Sequence, residues 1–526
     1  MHLLSAAQMR ECDAVTIAGA GPSGSELMAA AAAAVVARIE RDFPAALSGH
    51  ITILCGGGNN GGDGLVMARI LGERAVAVSA IVLAREERLT GDALRALVAL
   101  RALGGSEPAF VADALAWDQH RRTTLASALI VDAVFGTGLL HPVRGWIADI
   151  FTELNRDYRG PIVAVDIPSG LSADAEGPAE SHDSVVLRAD ATVAFAAPKL
   201  GHFLSWQSSA VGKLSVAPIG IPDDVLNRSG CGVGLTTAED CRPYLAPRTR
   251  QAHKGSFGHV LVVAGSQGKS GAAALAATAA LRIGAGLVTA AVPRSIQPLV
   301  AAARPELMTE ALPENRIGAF THAGLEPRLF QTLLRPATVV AMGCGVGSSK
   351  EAFEFVRFLL TTINVPCVLD ADGLNAYAGR RQELKFRAGG ILTPHPGEMA
   401  RLFSVDTTEV ESRRRYYAQR LAAETGAVAL LKGHFTLIAD PDGALFVNPT
   451  GNPGMASAGV GDALTGVIAG LVAQFPRRSK LETTAVAAFL HGQAGDRAAA
   501  LKGEMGMMAG DLIDALPETL LALSKP

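Results

Sequence analysis

The sequence has little charge, few aromatic side chains and no closely paired cysteines. Charged residues make up 18% of the 526 residues, aromatic residues make up 5%, and the formal net charge is −3. A nearly neutral chain does not offer the broad basic surface that binding to nucleic acid requires. None of the six cysteines belongs to a C-x-x-C pair, which argues against a disulfide framework or a zinc ribbon and favours a reducing cytosol.

Long hydrophobic runs are also missing. The longest apolar run near the start, residues 27–37, covers eleven residues and lacks the basic segment that opens a signal peptide. A membrane-spanning helix needs about twenty apolar residues. We therefore expect a buried Ala-rich helix at this position, a cytoplasmic protein and no membrane partner.

Glycine and small apolar residues, by contrast, are abundant. The chain contains 57 glycines, and 49% of its residues are hydrophobic, so it is long and apolar enough for more than one folded core. Glycine-rich turns let the backbone approach a ligand closely. This composition favours a globular α/β protein and excludes general disorder.

Short β-rich runs alternate with helical stretches in both halves of the chain, which is typical of a mainly parallel sheet covered by helices on both faces. In the first half the predicted strands are ITILC (51–55), VAVSAIVL (76–83), ALIVD (128–132), PIVAVD (161–166), ATVAFA (191–196) and KLSVAP (213–218). In the second half they are HVLVVAG (259–265), GLVTAAV (286–292), TVVAMG (338–343), PCVLD (366–370), GILTP (390–394) and AVALLK (427–432). About 70 residues at the end are expected to be helical.

A stretch rich in proline and glycine separates the two series and is the expected linker. The sequence therefore predicts two independent αβα domains, 1–222 and 250–526, with a linker over 223–249. In open parallel sheets, ligands bind beyond the carboxyl ends of the strands. The polar and Gly-rich residues that directly follow strands are therefore the candidate site residues.

Three strand ends in the first half carry polar loops. The first strand is followed by GGGNNGGDG (56–64), which is able to surround an anion with N–H groups at a helix start, although plain turn chemistry is the alternative. Asp132 ends another strand, and Asp166 and Ser169 follow the next. A lone strand-end aspartate is as often a helix cap, but three such ends together favour one pocket. Asn60, Asp132 and Ser169 offer only oxygen ligands, which suit a hard cation rather than zinc.

The second half carries its strongest signal in the loop and helix NPTGNPGMASAGVGDALTGVIAGL (448–471). Backbone amides at such a helix start are able to hold phosphate oxygens and to stabilise a transferred phosphoryl group. Asp462 in this loop is placed to accept a proton from a substrate hydroxyl, and the alternative is a simple N-cap. An earlier Gly-Lys-Ser triplet at 268–270 does not complete a Walker A motif, because that motif needs glycine where this chain has Val263.

Single residues in the second half keep structural alternatives. His395 lies between two prolines and could be only a turn residue, and Lys432 could simply cap a strand. Asp370 and Asp372 both follow a strand, and one of them is expected to be structural.

The first half closely resembles the NAD(P)H-hydrate epimerase family, known for its YjeF N-terminal domain. The resemblance lies in LLSAAQMRECD (3–13), GNNGGDG (58–64), VDAVFGTGL (131–139) and VDIPSGL (165–171) and covers nearly all of 1–220. It implies a Rossmann-like fold that interconverts the R and S forms of hydrated NADH or NADPH. It also implies that Asn60, Asp132 and Ser169 bind potassium, and that Asp166 is the acid/base residue, since epimerisation at a hydroxylated carbon next to nitrogen needs proton movement. The residues implied to hold the substrate are Asn59, Asn60, Gly61, Gly62, Asp63, Gly136, Thr137, Gly138, Leu139, Leu140, His141, Pro142 and Asp166.

One stretch departs from the pattern of that family. Its members usually carry polar residues directly after the Leu-Met of the first helix, whereas Leu27 and Met28 are followed here by six alanines, Ala29 to Ala34. We expect any substrate contact from that part of the helix to be lost or replaced.

The second half resembles the ribokinase superfamily at its Gly-rich loop, and further motifs narrow the resemblance to ADP- or ATP-dependent NAD(P)H-hydrate dehydratases. These motifs are HKGSFGHVLVVAGS (253–266), ALRIGAGLVT (280–289), GCGVG (343–347), LDADGLN (369–375), LTPHPGEM (392–399) and LKGHFT (431–436). The resemblance covers 250–515 and implies a ribokinase-like domain in which Asp462 is the catalytic base. It further implies contacts to the hydrated cofactor from Gly345, His395 and Asp462, and magnesium organised by Glu398. The residues implied to bind the adenine nucleotide are Lys432, Gly433, His434, Phe435, Thr436, Asn452, Pro453, Gly454, Met455, Ala456, Ser457, Ala458, Gly459, Val460 and Gly461.

Together the two resemblances imply a bifunctional metabolite-repair enzyme. The first domain would epimerise the hydrated cofactor, and the second would dehydrate its S form at the expense of ADP, giving AMP and phosphate. They further imply a homo-oligomer whose cofactors are potassium and magnesium. The alternative is a small-molecule kinase of the ribokinase type, whose first half is a non-catalytic binding or scaffold domain.

Overall fold

The computed structural model describes residues 1–19, 21–104, 107–174, 184–229 and 232–525. The chain divides into two compact units, Met1–Val233 and Gly234–Pro526. The division falls inside the predicted linker 223–249. That segment contains the helices Asp223–Arg228 and Ala238–Cys241 and the strand Val233–Leu235.

The first unit is built on a parallel sheet of seven strands. They are β1 (Ile51–Cys55), β2 (Val78–Val82), β3 (Ala109–Phe110), β4 (Leu129–Ala133), β5 (Ile162–Val165), β6 (Ala191–Phe195) and β7 (Lys213–Ala217). Their order is β3-β2-β1-β4-β5-β6-β7, and every neighbouring pair is parallel. The six predicted strands are confirmed. The seventh, β3, was not predicted because two residues are too few to form a recognisable run.

Helices cover both faces of this sheet, as alternate side chains of β1 show. Ile53 packs into one apolar cluster and Leu54 into another, because successive residues of a strand point to opposite faces. The three-layer αβα arrangement is therefore confirmed for this unit. Its helices are α1 (Ala6–Ala18), α2 (Gly24–Asp42), α3 (Asn59–Glu73), α4 (Gly91–Ala102), α5 (Ala114–Leu125), α6 (Trp146–Asp157), α7 (Gly201–Leu204) and α8 (Asp223–Arg228).

The second unit is built on a larger, mixed sheet of ten strands. They are β8 (Val233–Leu235), β9 (His259–Val263), β10 (Leu287–Pro293), β11 (Met308–Leu312), β12 (Val339–Met342), β13 (Cys367–Leu369), β14 (Gly390–Leu392), β15 (Val428–Leu431), β16 (Thr436–Ala439) and β17 (Leu445–Asn448). Their order is β11-β10-β9-β12-β13-β14-β15-β16-β17-β8. The pairs from β11 to β15 are parallel, and β15, β16 and β17 pair antiparallel.

Six strands of this sheet were predicted and are confirmed, whereas β8, β11, β16 and β17 were not predicted. The unpredicted strands are short or, in β11, carry Thr309 and Glu310 among half-buried positions. Neither pattern gives the continuous apolar run on which the strand predictions depended.

The helices of the second unit approach one another closely where small residues meet. A Cβ atom on Gly466 would lie 2.0 Å from the carbonyl oxygen of Ala276, so only glycine fits at this crossing. The end of the chain is helical, as predicted. The helices are α9 (Ala238–Cys241), α10 (Ser270–Arg282), α11 (Gln297–Ala303), α12 (Pro327–Leu334), α13 (Lys350–Thr362), α14 (Asp372–Asn375), α15 (Pro396–Phe403), α16 (Thr407–Ser412), α17 (Arg414–Thr425), α18 (Val460–Gln474), α19 (Lys480–Lys502) and α20 (Ala509–Leu523).

None of the helices formed by the described residues combines the length and the apolar character needed to cross a bilayer.

Candidate active sites

In the first unit, a cavity of about 720 Å³ lies where the carboxyl ends of β1, β4 and β5 meet. Those strands are neighbours in the sheet, so the loops that follow them converge at one edge, as the sequence predicted. Apolar residues of α1 and α2, among them Met9, Leu27, Met28 and Ala31, complete the wall. The predicted substrate residues on this wall are Asn59, Asn60, Asp63, Gly136, Thr137, Gly138, Leu139, Leu140, His141 and Asp166.

Three residues of the predicted substrate set do not line the cavity: Gly61, Gly62 and Pro142. Gly61 is needed for packing, since a Cβ atom there would lie 1.9 Å from the carbonyl oxygen of Gly56. A Cβ atom on Gly62 would lie 2.6 Å from the terminal methyl carbon of Met28. These glycines let α3 begin directly behind the loop.

Behind the cavity, Asp132 and Ser169 form a buried hydrogen-bonded pair. The Ser169 hydroxyl donates to Asp132 Oδ1 at 2.5 Å, and the Ser169 N–H donates to Asp132 Oδ2 at 2.7 Å. Burial raises the pKa of Asp132 to about 6, although the hydrogen bonds from Ser169 oppose the rise. Among the described residues no cationic side chain pairs with this carboxyl, so its charge is without a counter-ion.

Asn60 lies against the same loop with part of its amide unused. A Cβ atom at Gly136 would lie 3.2 Å from Asn60 Oδ1, so the amide packs closely on the loop that follows β4. Asn60 Nδ2 is buried and has no hydrogen-bond partner among the described residues. Because the two ends of an amide are assigned from their hydrogen bonds, turning the group would leave its oxygen free for a ligand.

Asp166 is fixed from three directions at the end of β5. Lys199, whose side chain is completely buried, forms an ion pair with Asp166 Oδ1 and also donates to the Phe195 carbonyl oxygen at 3.0 Å. The N–H of Phe195 donates to the same carboxylate oxygen at 3.0 Å. Asp166 holds the left-handed conformation with φ +64°, which is strained for a residue other than glycine and is often found at functional sites.

His202 supports this arrangement from behind. Its Nδ1 accepts from the Lys199 N–H at 3.0 Å, so its Nε2 carries the proton and donates to the Asp166 carbonyl oxygen at 3.0 Å. Burial, with the charge of Lys199 beside it, lowers the pKa of His202 to about 3, so the ring stays neutral.

Three site residues were not predicted from the sequence: Lys199, His202 and Asp13. Lys199 and His202 follow β6, a strand that was predicted, so the same attention to strand ends would have found them. Asp13 projects from α1 into the cavity, and burial raises its pKa to about 6. Asp13 closes the motif at 3–13 that carries the family resemblance, but that motif does not show which of its residues face the site.

In the second unit, polar residues again converge beyond neighbouring strands, here β12, β13 and β15. Lys432 Nζ, after β15, donates to Asp370 Oδ1 at 2.8 Å, and the Thr465 hydroxyl donates to Asp370 Oδ2 at 2.8 Å. Asp370, after β13, is buried, whereas Asp372 is partly exposed. Burial alone would lower the pKa of Lys432, but Asp370 and Glu398 outweigh it and raise that pKa.

Asp462 lies at the centre of this group, in the first turn of α18. A carboxylate oxygen of Asp462, one of Asp370 and the Cys344 sulfur lie within 4.8 Å of one another. Burial raises the pKa of Asp462, with Asp370 adding to the rise, while the thiol of Cys344 and the charge of Lys432 oppose it. Lys432 already supplies a positive charge to Asp370, whose two oxygens both accept hydrogen bonds, so the cluster is a hydrogen-bonded network rather than a ready metal site.

Glu398 and His395 lie beside Lys432 at the start of α15. Glu398 Oε2 accepts from the His395 N–H at 2.8 Å and lies 3.8 Å from Lys432 Nζ, while Oε1 lies 3.4 Å from His395 Nε2. Burial raises the pKa of Glu398 to about 7, although Lys432 opposes the rise. The His395 ring also accepts the Gly397 N–H at 3.0 Å, so the residue caps its own helix as well as facing the site.

The predicted nucleotide segments are both held in place by charged side chains that the sequence analysis did not select. Asp496 accepts from the Gly451 N–H at 3.1 Å and from Asn452 Nδ2 at 3.0 Å, which fixes the Gly-rich loop. Arg414 donates to the carbonyl oxygen of His434 and to that of Phe435 at 3.2 Å. Gly459 has φ +89° and is followed by α18, whose first N–H groups have no partner within the helix.

Gly345 ends the segment that follows β12. Its φ is +63°, and a Cβ atom there would lie 2.9 Å from the Ala272 side chain. The nearby Lys269 is half exposed and forms an ion pair with Asp372 at 3.0 Å. Asp372 also accepts the Gly347 N–H at 3.1 Å, so this loop is fixed on both sides.

Each unit matches a family model. Residues 24–201 match the family described as YjeF-related protein N-terminus, and residues 260–518 match the family described as NAD(P)H-hydrate dehydratase.

Full-length relatives show the same pairing. The chain is 43% identical to the bifunctional NAD(P)H-hydrate repair enzyme of Moorella thermoacetica, over 100% of this chain and 98% of the relative. It is 37% identical to the enzyme of the same description from Coxiella burnetii, over 97% of each chain. Among solved structures, an ADP/ATP-dependent NAD(P)H-hydrate dehydratase from Bacillus subtilis is 31% identical over 56% of this chain and 100% of that chain, with a TM-score of 0.48.

Proposed function

The chain belongs to the family of bifunctional NAD(P)H-hydrate repair enzymes, and we propose that its two sites carry out two consecutive steps on one damaged cofactor. The first unit epimerises the R and S forms of hydrated NADH and NADPH. The second dehydrates the S form at the expense of ADP and gives AMP and phosphate. The observation that carries this proposal is the presence of a complete acid/base cluster beyond the strand ends of each unit. The family assignment rules against the small-molecule kinase that the sequence left open.

In the first unit, we assign the acid/base role to Asp166. The carboxylate reaches the cavity while Lys199 and the Phe195 N–H hold one of its oxygens, which fixes the direction of the other. Moving a proton on and off the C6 hydroxyl is the step that this group supports. The residues of the predicted substrate set that line the cavity, among them Asn59 and His141, form the proposed binding surface.

The residues Asn60, Asp132 and Ser169 fit a potassium ion. The buried carboxyl of Asp132 has no counter-ion, and the amide of Asn60 has an unused polar atom beside it. A bound monovalent cation would supply the missing positive charge and order the loop that follows β4. Ser169 also accepts the Phe135 N–H at 2.8 Å, which ties that loop to the proposed ion site.

In the second unit, we assign the base role to Asp462. Its carboxylate takes the proton of the C6 hydroxyl, and the oxygen attacks the terminal phosphorus of ADP, so a P–O bond forms and AMP departs. Phosphate then leaves with the electrons of the C6–O bond, a proton is lost from C5, and the ring double bond is restored. Lys432 and the first N–H groups of α18 lie where they would stabilise charge on the transferred phosphoryl group.

The adenine nucleotide is proposed to lie along the two fixed segments that include Thr436 and Asn452, with Gly345 and His395 against the hydrated cofactor. Glu398 fits a magnesium ion held mainly by phosphate and water, since Oε1 has only a 3.4 Å contact with His395 Nε2. When bound, magnesium neutralises charge on the phosphates.

We also propose that the enzyme works in the cytoplasm as a homo-oligomer, without nucleic acid or membrane partners. The described cysteines, Cys12, Cys55, Cys241, Cys344 and Cys367, are all free thiols, in keeping with a reducing compartment. The net charge of −3 also argues against a nucleic-acid partner. Light scattering at several concentrations tests self-association.

The central experiment is a repair assay with separated epimers of hydrated NADH, run with ADP and ATP in parallel and with or without potassium. We expect absorbance at the reduced-nicotinamide band to return at once from the S form and, through epimerisation, from the R form. No return of absorbance with either nucleotide would refute the dehydratase assignment.

The epimerase assignment is tested with Asp166→Asn, because asparagine tolerates the left-handed conformation of this position. Interconversion of the two epimers should fall to the enzyme-free rate, while dehydration of the S form is unchanged. Wild-type interconversion in the variant would instead favour a scaffold role for the first unit.

A further inference from the structure

The cavity of the first unit carries more carboxyl groups than a single base requires. Asp166 is neutralised by Lys199, and Asp92 forms an ion pair with Arg95. Asp13 and Asp63 also line the cavity, yet neither makes a hydrogen bond or an ion pair with any other described residue. A carboxyl without a partner in a half-closed cavity is costly, and such groups are typical of catalytic positions.

Asp13 reaches the cavity from the wall formed by α1. Met9, Asp13 and Ile17 are spaced four residues apart on α1, so they share one face of that helix, and all three line the cavity. Arg10 also lines the cavity from this helix, but a guanidinium keeps its proton in proteins, so Asp13 is the one group of α1 on this wall that is able to exchange a proton. Asp63 and Asp166, by contrast, both follow strands of the sheet.

Asp13 and Asp166 have different electrostatic surroundings in the cavity. Burial raises the pKa of Asp13 to about 6, with Asp166 adding to the rise and Lys199 opposing it. Asp166 forms an ion pair with Lys199, whereas Asp13 has no ion-pair partner among the described residues. Two carboxyls with environments that differ in this way are the usual arrangement of an acid and a base. The titratable or charged groups on the cavity walls are Arg10, Asp63, Asp92, His141, Asp166 and Lys199.

We propose that Asp13 is a second catalytic residue of the first unit, the proton donor that acts together with the Asp166 carboxylate. The proposal rests on the epimerase function proposed above. Asp166 accepts the proton of the C6 hydroxyl, the C6–N1 bond breaks with its electron pair moving to N1, and Asp13 donates a proton to N1. After rotation about the C5–C6 bond, N1 attacks the aldehyde from its other face. The N1 proton returns to Asp13, and the new alkoxide recovers its proton from Asp166.

The test measures interconversion of the R and S forms of hydrated NADPH in potassium buffer without nucleotide, so that the second unit is silent. Enzyme-free interconversion is subtracted. The test variant is Asp13→Asn. The matched control is Glu11→Gln, which lies on the opposite, exposed face of the same helix. Asp63→Asn is measured in parallel. The activity of the wild-type enzyme in this assay tests the proposed epimerase function. An inactive wild type would contradict that function, whereas an active wild type with an equally active Asp13→Asn variant would contradict only the role of Asp13.

We expect kcat of Asp13→Asn to fall by about a hundredfold or more with little change in KM, and Glu11→Gln to stay within about twofold of wild type. In wild type, kcat/KM should fall as pH rises through about 6, where Asp13 loses its proton. This descending limb of the pH profile should be absent in Asp13→Asn.

The proposal would be overturned if Asp13→Asn stays active and still loses activity as pH rises through about 6. A rise in KM without a fall in kcat would also overturn it, as would a pH dependence that disappears only in Asp63→Asn. If Asp13→Asn does not fold, Asp13→Glu replaces it. A shifted limb then supports the proposal, and an unmoved limb contradicts it.

Discussion

The ammonium group of Lys199 and the carboxylate of Asp166 form an ion pair in which the lysine side chain is completely buried. The lysine is held further by the Phe195 carbonyl oxygen, and the aspartate by the Phe195 N–H. The ion pair and these hydrogen bonds thus link the ends of two neighbouring strands, β5 and β6. Removing either charge alone leaves the other without compensation.

Lys199→Met should therefore destabilise the first unit strongly. Breaking a buried ion pair from one side typically costs about 3–5 kcal/mol, because the remaining charge stays buried. The double variant Lys199→Met/Asp166→Asn should recover much of this loss. All three tryptophans, Trp117, Trp146 and Trp206, lie in the first unit, so denaturant unfolding followed by their fluorescence reports on it. Lys213→Met, at an exposed lysine of β7, is the control, and an equal loss there would contradict the argument.

Potassium should stabilise the first unit specifically. An ion at ten times its Kd adds about 1.4 kcal/mol to the free energy of unfolding. Asn60→Leu removes one proposed ligand together with its unpartnered buried amide, so the variant should lose the response to potassium without losing stability in its absence. Thermal unfolding in potassium chloride, with sodium chloride at equal ionic strength as control, provides the measurement. An unchanged potassium response in Asn60→Leu would remove Asn60 from the site.

Asp462→Asn should abolish dehydration while the nucleotide still binds. Loss of a general base costs about a hundredfold to ten-thousandfold in rate, and the nucleotide segments are fixed by Asp496 and Arg414, which are untouched. Calorimetric titration with ADP and the absorbance assay with the S form measure the two properties. Epimerisation by the same preparation is the internal control. Retained dehydration would show that another group is the base.

Gly466→Ala should destabilise the second unit, since its Cβ atom would collide with the carbonyl oxygen of Ala276. Overpacking of this kind costs about 1–3 kcal/mol or more. Gly271→Ala on α10 is the matched control. A Cβ atom there meets nothing within 4 Å, so the same substitution should be neutral or stabilise by up to about 1 kcal/mol. Differential scanning calorimetry of both variants decides the matter, and equal stabilities would contradict the close crossing of α10 and α18.

The sequence predicted the fold well where local pattern determines it. Continuous apolar runs identified twelve of the seventeen described strands, and the rule that ligands bind beyond strand ends placed Asn60, Asp132, Asp166 and Asp462 in two clusters. The short strand β3 and the hairpin of β16 and β17 carry too little pattern to be recognised.

The remainder of each site depends on long-range contacts. Asp13 reaches its cavity from a helix far away in sequence, and the partners of Lys199 and Asp496 are fixed only when the sheet forms. Protonation states also depend on the folded structure. The pKa of Asp132 and that of Asp13 are raised by burial, and the burial of a single residue is not visible in the sequence.

The two sites belong to units that each have their own sheet and their own core, yet they are translated as one polypeptide. Synthesis therefore delivers them in a fixed one-to-one ratio, and no difference in gene expression changes it. The relative flux through the two steps is then set by the catalytic constants of the two sites and by the supply of their substrates. A cell that produces more of this chain raises both capacities in equal proportion.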